Sequence, residues 1–194
     1  MSQDAEGNVV TNNKVIAKIS RKEVAAHFMQ PAPERFLNAL LEKGKITPQQ
    51  AQLAARISMA DDITVEADSG GHTDNRPLVA LLSTIIQLRD EYQAKYNFDK
   101  KIRVGAAGGI STPTSALGAF MMGAAYVVTG SVNQACVEAG TSEHVRKLLQ
   151  TVASTDVMMA PASDMFEMGV ELQVLKRGTP VSYTHLTLPT ICSV

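Results

Sequence analysis

Two glycine-bearing runs carry the most legible chemistry in this sequence: Arg103-Val104-Gly105-Ala106-Ala107-Gly108-Gly109-Ile110 and Ala125-Tyr126-Val127-Val128-Thr129-Gly130-Ser131. Each is a small or β-branched apolar stretch that ends in glycine, the pattern of a strand running into a turn. Glycine lets backbone N–H groups come close to an anion. Thr112 to Met122, between the two runs, has helical character, with Thr112 as cap and Pro113 at the first helical position. The terminus of that helix adds about half a positive charge beside the first turn. A lone double glycine after a strand is common in α/β proteins. Two such turns on neighbouring parallel strands make a phosphate cradle, for which Ala107, Gly108, Gly109, Thr129, Gly130 and Ser131 are the candidates. Ser131 offers a hydroxyl, and Ala106 and Ala107 leave room for a ligand to pass.

A second concentration of functional groups follows the expected strand Asp62 to Ala67: Asp68-Ser69-Gly70-Gly71-His72-Thr73-Asp74-Asn75-Arg76. Imidazole suits proton transfer near neutral pH, yet spacing alone favours a loop histidine satisfied by water. Glu66 and Asp68 could form an acid–base pair, but local bonds within a solvated loop are the better reading. Arg76 is open between surface charge and a contact with an acidic carrier protein or a phosphate. Asn133 and Gln134 are open as hydrogen-bonding partners of a ligand. Cys136 has no base near it in sequence and reads as a small buried hydrophobe. No cysteine or histidine spacing fits a metal site.

The elements that must position these groups alternate. A strand at Val15 to Ile19 precedes a helix from Arg21, with Ser20 and Glu23 in capping-box form. Helices over Glu34 to Lys43 and Thr47 to about Ile57 follow, the first closed by Gly44 and the second opened by Thr47, Pro48 and Gln50. From Pro77 to about Lys95 apolar residues recur at helical spacing. A helix from about Ser142 to Val152 comes next, then a methionine-rich stretch from Met158 to Met168 that reads as adaptable core, with an acyl-chain lining as the minority alternative. Short apolar strands alternating with helices indicate parallel pairing in an α/β fold. The count is about four β/α units plus C-terminal helices, half of a closed (β/α)8 barrel, with an open doubly wound sheet as the alternative.

Composition excludes several classes. The 194 residues are 45% hydrophobic and 19% charged with a formal net charge of -1, so the basic excess of a nucleic-acid binder is absent. No apolar run reaches the length of a membrane span, and the polar start has no secretory pattern. Two distant cysteines fit a reducing compartment, so a cytoplasmic protein is expected.

Glu66-Ala67-Asp68-Ser69-Gly70-Gly71-His72, the Gly105 to Ile110 run and Val128-Thr129-Gly130-Ser131 together resemble the FMN-dependent nitronate monooxygenase and enoyl-reductase barrel superfamily. Met59 to Pro77 and Gly130 to Gly140 resemble more closely one branch, the PfaD-type trans-acting enoyl reductases of polyunsaturated fatty acid and polyketide synthases. The resemblance covers roughly residues 14 to 179. It implies the carboxyl-terminal half of a TIM barrel and a catalytic His72. It implies FMN held by Gly70, Gly71 and the two phosphate turns, with NAD(P)H as reductant. The implied substrate is an enoyl thioester on an acyl carrier protein, and the implied partner is its synthase. Nitronate monooxygenase (2-nitropropane dioxygenase) activity is the alternative, because the two chemistries share one scaffold.

Residues 1 to 13 read as a loop or frayed start and 14 to 179 as a partial FMN-binding barrel domain. Val181 to Thr190, Thr-rich and without period, resembles the translation of a sequencing adapter read into the frame. His185 and Cys192 are therefore set aside. With half a barrel missing, the alternative from another class is an inactive truncated fragment.

Overall fold

The computed structural model describes residues 1–162 and 165–176. The adapter-like segment, with His185 and Cys192, lies outside the described residues. In chain order the strands and helices are β1 (Ser2–Gln3), β2 (Val9–Val10), β3 (Ile16–Ile19), α1 (Lys22–Met29), α2 (Glu34–Glu42), α3 (Pro48–Ala54), β4 (Asp62–Glu66) and β5 (Gly71–His72). They continue with α4 (Leu78–Tyr96), β6 (Arg103–Ala107), α5 (Pro113–Met121), β7 (Val127–Val128), α6 (Glu143–Gln150), β8 (Val157–Pro161) and β9 (Glu171–Leu175).

The central layer is a parallel sheet in the order β3-β4-β6-β7. Every second residue of its strands turns toward the helices. Ala17 and Ile19, Ile63 and Val65, and Val104 and Ala106 pack there against Ala25 and Met29 of α1 and Leu82, Ile85 and Leu88 of α4. This is the α/β arrangement expected from the alternating elements. β7 is shorter than its apolar run suggests, but Ala125 donates to the Val104 carbonyl at 2.7 Å and holds the preceding chain beside β6.

Local signals set most boundaries. Thr47 accepts from the Gln50 N–H while the Gln50 side chain accepts from the Thr47 N–H, and Pro48 opens α3 as expected. Thr112 and Ser115 do the same for α5. Ser20 departs from expectation. α1 starts one residue later, at the N-cap Arg21 with no side-chain cap bond, and the Ser20 hydroxyl is turned instead to donate to the Asp74 carboxylate. Residues 1–13, expected as a loop, contain the two-residue antiparallel ladder of β1 and β2.

The largest difference lies after α6. Further helix was expected there, and the described residues instead form an antiparallel hairpin, β8–β9, that joins β5 in the order β5-β9-β8. β9 is the middle strand, so partners on both sides satisfy its backbone groups. The methionine-rich stretch therefore supplies strand β8 rather than a helical core segment.

Candidate functional site

The carboxyl ends of β4, β6 and β7 converge. Ala67, just after β4, donates to the Ala107 carbonyl at 2.8 Å, which keeps the two strand ends in step. The chain then turns through Gly108 and Gly109, with φ of 91° and 69°, a region L side chains rarely adopt. A Cβ on Gly108 would lie 2.6 Å from the Ala67 carbonyl oxygen and 2.7 Å from that of Asp68, so only glycine allows this approach. After β7, Thr129 and Asn133 clasp each other. The threonine hydroxyl donates to Asn133 Oδ1 at 3.0 Å and the Asn133 amide donates to the Thr129 carbonyl at 3.0 Å. This clasp spans Gly130 and the start of the 3-10 turn Ser131–Ala135. A Cβ on Gly70 would meet the Ser131 hydroxyl oxygen at 2.8 Å, which puts the His72 loop against the second glycine turn. A Cβ on Gly109 or Gly130 would meet nothing within 4 Å, so the backbone of both turns is open to a ligand at the carboxyl ends of β6 and β7, a setting that suits an anion.

The His72 loop is tied at several points. Asp68 N–H donates to the Arg76 carbonyl at 2.9 Å and closes its base. The Thr73 hydroxyl accepts from Ser69 N–H at 3.3 Å and Asn75 N–H at 3.1 Å and donates to Asp68 Oδ1 at 3.3 Å. These bonds hold Asn75 at a φ of 52°. Asp74 reaches Ser20 at the end of β3, and the Gln173 amide of β9 stands 3.4 Å from both Asp68 oxygens. Gly71 and His72 themselves pair with Gln173 and Leu172. An open cleft of about 430 Å³ borders His72, with Ser20, Glu66, Asp74, Met159 and Val170 among its walls.

The nine residues expected to form a site, Gly70, Gly71, His72, Ala107, Gly108, Gly109, Thr129, Gly130 and Ser131, thus all lie at or beyond the carboxyl ends of β4, β6 and β7; Gly70 meets Ser131, while the cleft beside His72 is lined by none of the other eight. Glu66 and Asp68 do not act as a pair: Glu66 accepts from Lys18 at 2.9 Å, while Asp68 serves the loop. Asn133 is occupied by Thr129, and the Gln134 carbonyl accepts from Thr141 at 2.8 Å. Cys136 is exposed, contrary to the expectation of a buried hydrophobe, because it follows a short surface turn and its thiol faces the Val132 carbonyl at 3.7 Å. No cluster of His, Cys, Asp or Glu among the described residues could hold a metal ion. Sequence reasoning missed Gln173 and Ser20, whose partners lie 105 and 54 residues away.

Below the glycine turns, the sheet face opposite the helices is polar. Arg103 grips Asp62 with two bonds of 2.7 and 2.6 Å. The Tyr126 ring covers Gly105, leaving no room for a side chain there, and its hydroxyl pairs with Thr64 at 2.8 Å. Burial pushes the Tyr126 phenol above its ordinary pKa, and the Thr64 hydrogen bond offsets part of that rise.

No family model matches the chain. A polyunsaturated fatty acid synthase polypeptide of Thraustochytrium sp. is 54% identical over 181 residues, covering 92% of this chain and 9% of that protein. The polyketide biosynthesis protein PksE of Bacillus subtilis is 53% identical over 178 residues, covering 92% of this chain and 23% of PksE. The crystal structure of the enoyl reductase domain of MlnA, from the macrolactin biosynthesis cluster of Bacillus amyloliquefaciens, superposes with a TM-score of 0.89 at 42% identity. By sequence and by fold, the chain is similar to one segment of these biosynthetic proteins and fits a PfaD-type fragment. The superposition takes in 96% of this chain and 42% of the MlnA chain. FabK of Thermotoga maritima, at 21% identity and a TM-score of 0.55, shares the fold. The chain therefore spans less than half the length of each of these relatives. No described helix is long and apolar enough to cross a membrane.

Proposed function

We propose that the chain forms the carboxyl-terminal half of a closed (β/α)8 barrel. The protein that carries it would be an FMN-dependent enoyl reductase, taking electrons from NAD(P)H and acting on enoyl thioesters of an acyl carrier protein within a synthase. One observation carries this reading: two glycine turns and the His72 strand converge at the carboxyl ends of parallel strands, where barrel enzymes build their sites. The resemblance to the MlnA enoyl reductase domain supports the reaction class.

The donor set fits a phosphate-bearing cofactor. The N–H groups of Gly108, Gly109 and Gly130, with the Ser131 hydroxyl, would hold the FMN phosphate, and Gly70, Gly71 and Ala107 would let it approach closely. Reduced flavin, when bound, supplies hydride for the β-carbon of the enoyl thioester. His72 stands at the cleft to deliver a proton to the α-carbon, and its loop bonds fix where the imidazole is presented. Thr129 and Asn133 keep the second turn in its anion-facing shape.

The test uses the protein of natural length that carries this segment, loaded with FMN and supplied anaerobically with NAD(P)H and an enoyl-pantetheine thioester. Consumption of the alkene is expected. His72→Ala should lower kcat by about 10²–10⁴-fold with FMN retained. Full turnover in that variant removes His72 from the chemistry. Oxygen-dependent decay of a nitronate, with no nicotinamide required and no alkene reduced, would assign the protein to monooxygenase chemistry instead.

A further inference from the structure

The β8–β9 hairpin comes from a part of the chain that carries none of the site residues, yet it is built onto the loop that presents His72. β9 pairs with β5 in the register Gly71 opposite Gln173 and His72 opposite Leu172. Residues directly opposite in a ladder project their side chains to the same face. Gly71 has none, and a Cβ there would meet nothing within 4 Å, so the path across β5 from Gln173 is open. Along that path the Gln173 amide reaches Asp68, at 3.4 Å from each carboxylate oxygen. Asp68 in turn accepts from the Thr73 hydroxyl, and that hydroxyl accepts the N–H groups of Ser69 and Asn75 on either side of His72. One relay therefore runs from β9 to both flanks of His72.

We infer that Gln173 is a positioning residue for His72, acting through Asp68 and Thr73 to hold the loop in its site-forming shape. The inference rests on the proposed role of His72. The Gln173 amide spends its donor on Asp68, so its effect reaches the imidazole by way of the loop. An anchor supplied by a distant strand also suits a loop that keeps Asn75 at a φ of 52°, a conformation that costs free energy unless its surroundings enforce it.

The experiment reads the loop and the reaction separately, in the full-length FMN-bound protein. Gln173→Glu sets a carboxylate against Asp68 and removes the donor. Gln173→Met keeps the length and removes the whole amide, donor and carbonyl oxygen alike, without adding charge. The double change Gln173→Glu with Asp68→Asn restores a donor–acceptor pair with its polarity reversed. Amide hydrogen exchange at Ser69 and Asn75 should rise about tenfold or more in Gln173→Glu, by less in Gln173→Met, and return toward wild type in the double variant. kcat should fall and recover in the same order, with KM and FMN affinity within about twofold of wild type. If Gln173→Glu does not fold, Gln173→Met against wild type decides the matter. Unchanged exchange and kcat in the single variants would overturn the inference, as would a double variant that recovers neither. Exchange that moves as expected in a protein without reductase activity would uphold the anchor and overturn the function proposed for the site.

Discussion

On the helix side of the parallel sheet, β3, β4 and β6 present Ala17, Ile19, Ile63, Val65, Val104 and Ala106, all buried. On the other side the same strands present Lys18, Asp62, Thr64, Glu66, Arg103 and the bare backbone of Gly105, with the apolar Ile16 and Ala107 at the strand ends. The first face is held by close packing of apolar side chains, which is non-directional and tolerates repacking. The second is held by specific pairs: Lys18 with Glu66, Arg103 with Asp62, and Thr64 with Tyr126. Parallel sheets are usually buried on both faces and read as continuous apolar runs. Here one face alternates to polar groups, and every buried side-chain polar atom among the described residues has a partner. The difference assigns stability mainly to the helix face and geometry mainly to the polar one.

That assignment breaks most easily at Ile63, which is fully buried among the helix-side core. Ile63→Ala removes three carbons from a site enclosed by α1, α4 and the neighbouring strands. Unfolding by urea should show a loss of about 2–5 kcal/mol with an unchanged slope. A smaller loss would mean that the helix layer collapses readily onto the gap, and the contrast between the faces would weaken.

Gly105→Ala probes the polar face at its tightest point. The new methyl would stand within the Tyr126 ring, which cannot simply swing aside because its hydroxyl is bonded to Thr64. A loss of about 1–3 kcal/mol is expected in the same urea measurement. The alanine variant should also lose the bond to Thr64, and because that bond holds the phenol's pKa down, Tyr126 should titrate still further above its ordinary range.

How much of this was legible depended on whether a residue's partner was near it in sequence. Thr47, Pro48 and Gln50 declared the start of α3 because all the bonding groups lie within one helical turn. The Gly108-Gly109 turn was readable for the same reason: positive φ is written into the residue type. Ser20 had the form of a cap as well, but its hydroxyl is turned to donate to the Asp74 carboxylate, 54 residues on. The hairpin was missed: Glu171-Leu172-Gln173-Val174 alternates polar and apolar residues at strand period, but so short a run does not declare its partners, which are Gly71-His72 and β8. Cys136 was misjudged because burial is a property of where the chain goes after Gly130, and that is a short turn on the surface. The candidate residues on strand ends were thus legible, while the groups that touch their loops from across the fold were not.

The smallest expected effect separates the two faces most sharply. Thr64 is buried on β4 between Ile63 and Val65, yet its hydroxyl points the other way, to Tyr126. Thr64→Val keeps the shape and deletes that bond, at a cost of about 1 kcal/mol at neutral pH, because Tyr126 retains some access to water. The alkaline limb then discriminates. Burial raises the folded pKa of Tyr126 above its unfolded value, so the neutral phenol's contribution is fully present below about pH 10 and is lost as pH rises through the folded pKa. The Thr64 bond opposes that rise, so its removal lifts the folded pKa further and widens the window of loss. The Thr64→Val deficit should therefore grow above about pH 10. Tyr126→Phe should lack this position's alkaline loss, and a buried phenol should vanish from its ultraviolet titration. If the Thr64→Val deficit stays constant with pH, the two hydroxyls do not sense each other, and the polar face is held by Arg103 and Asp62 without help from Tyr126.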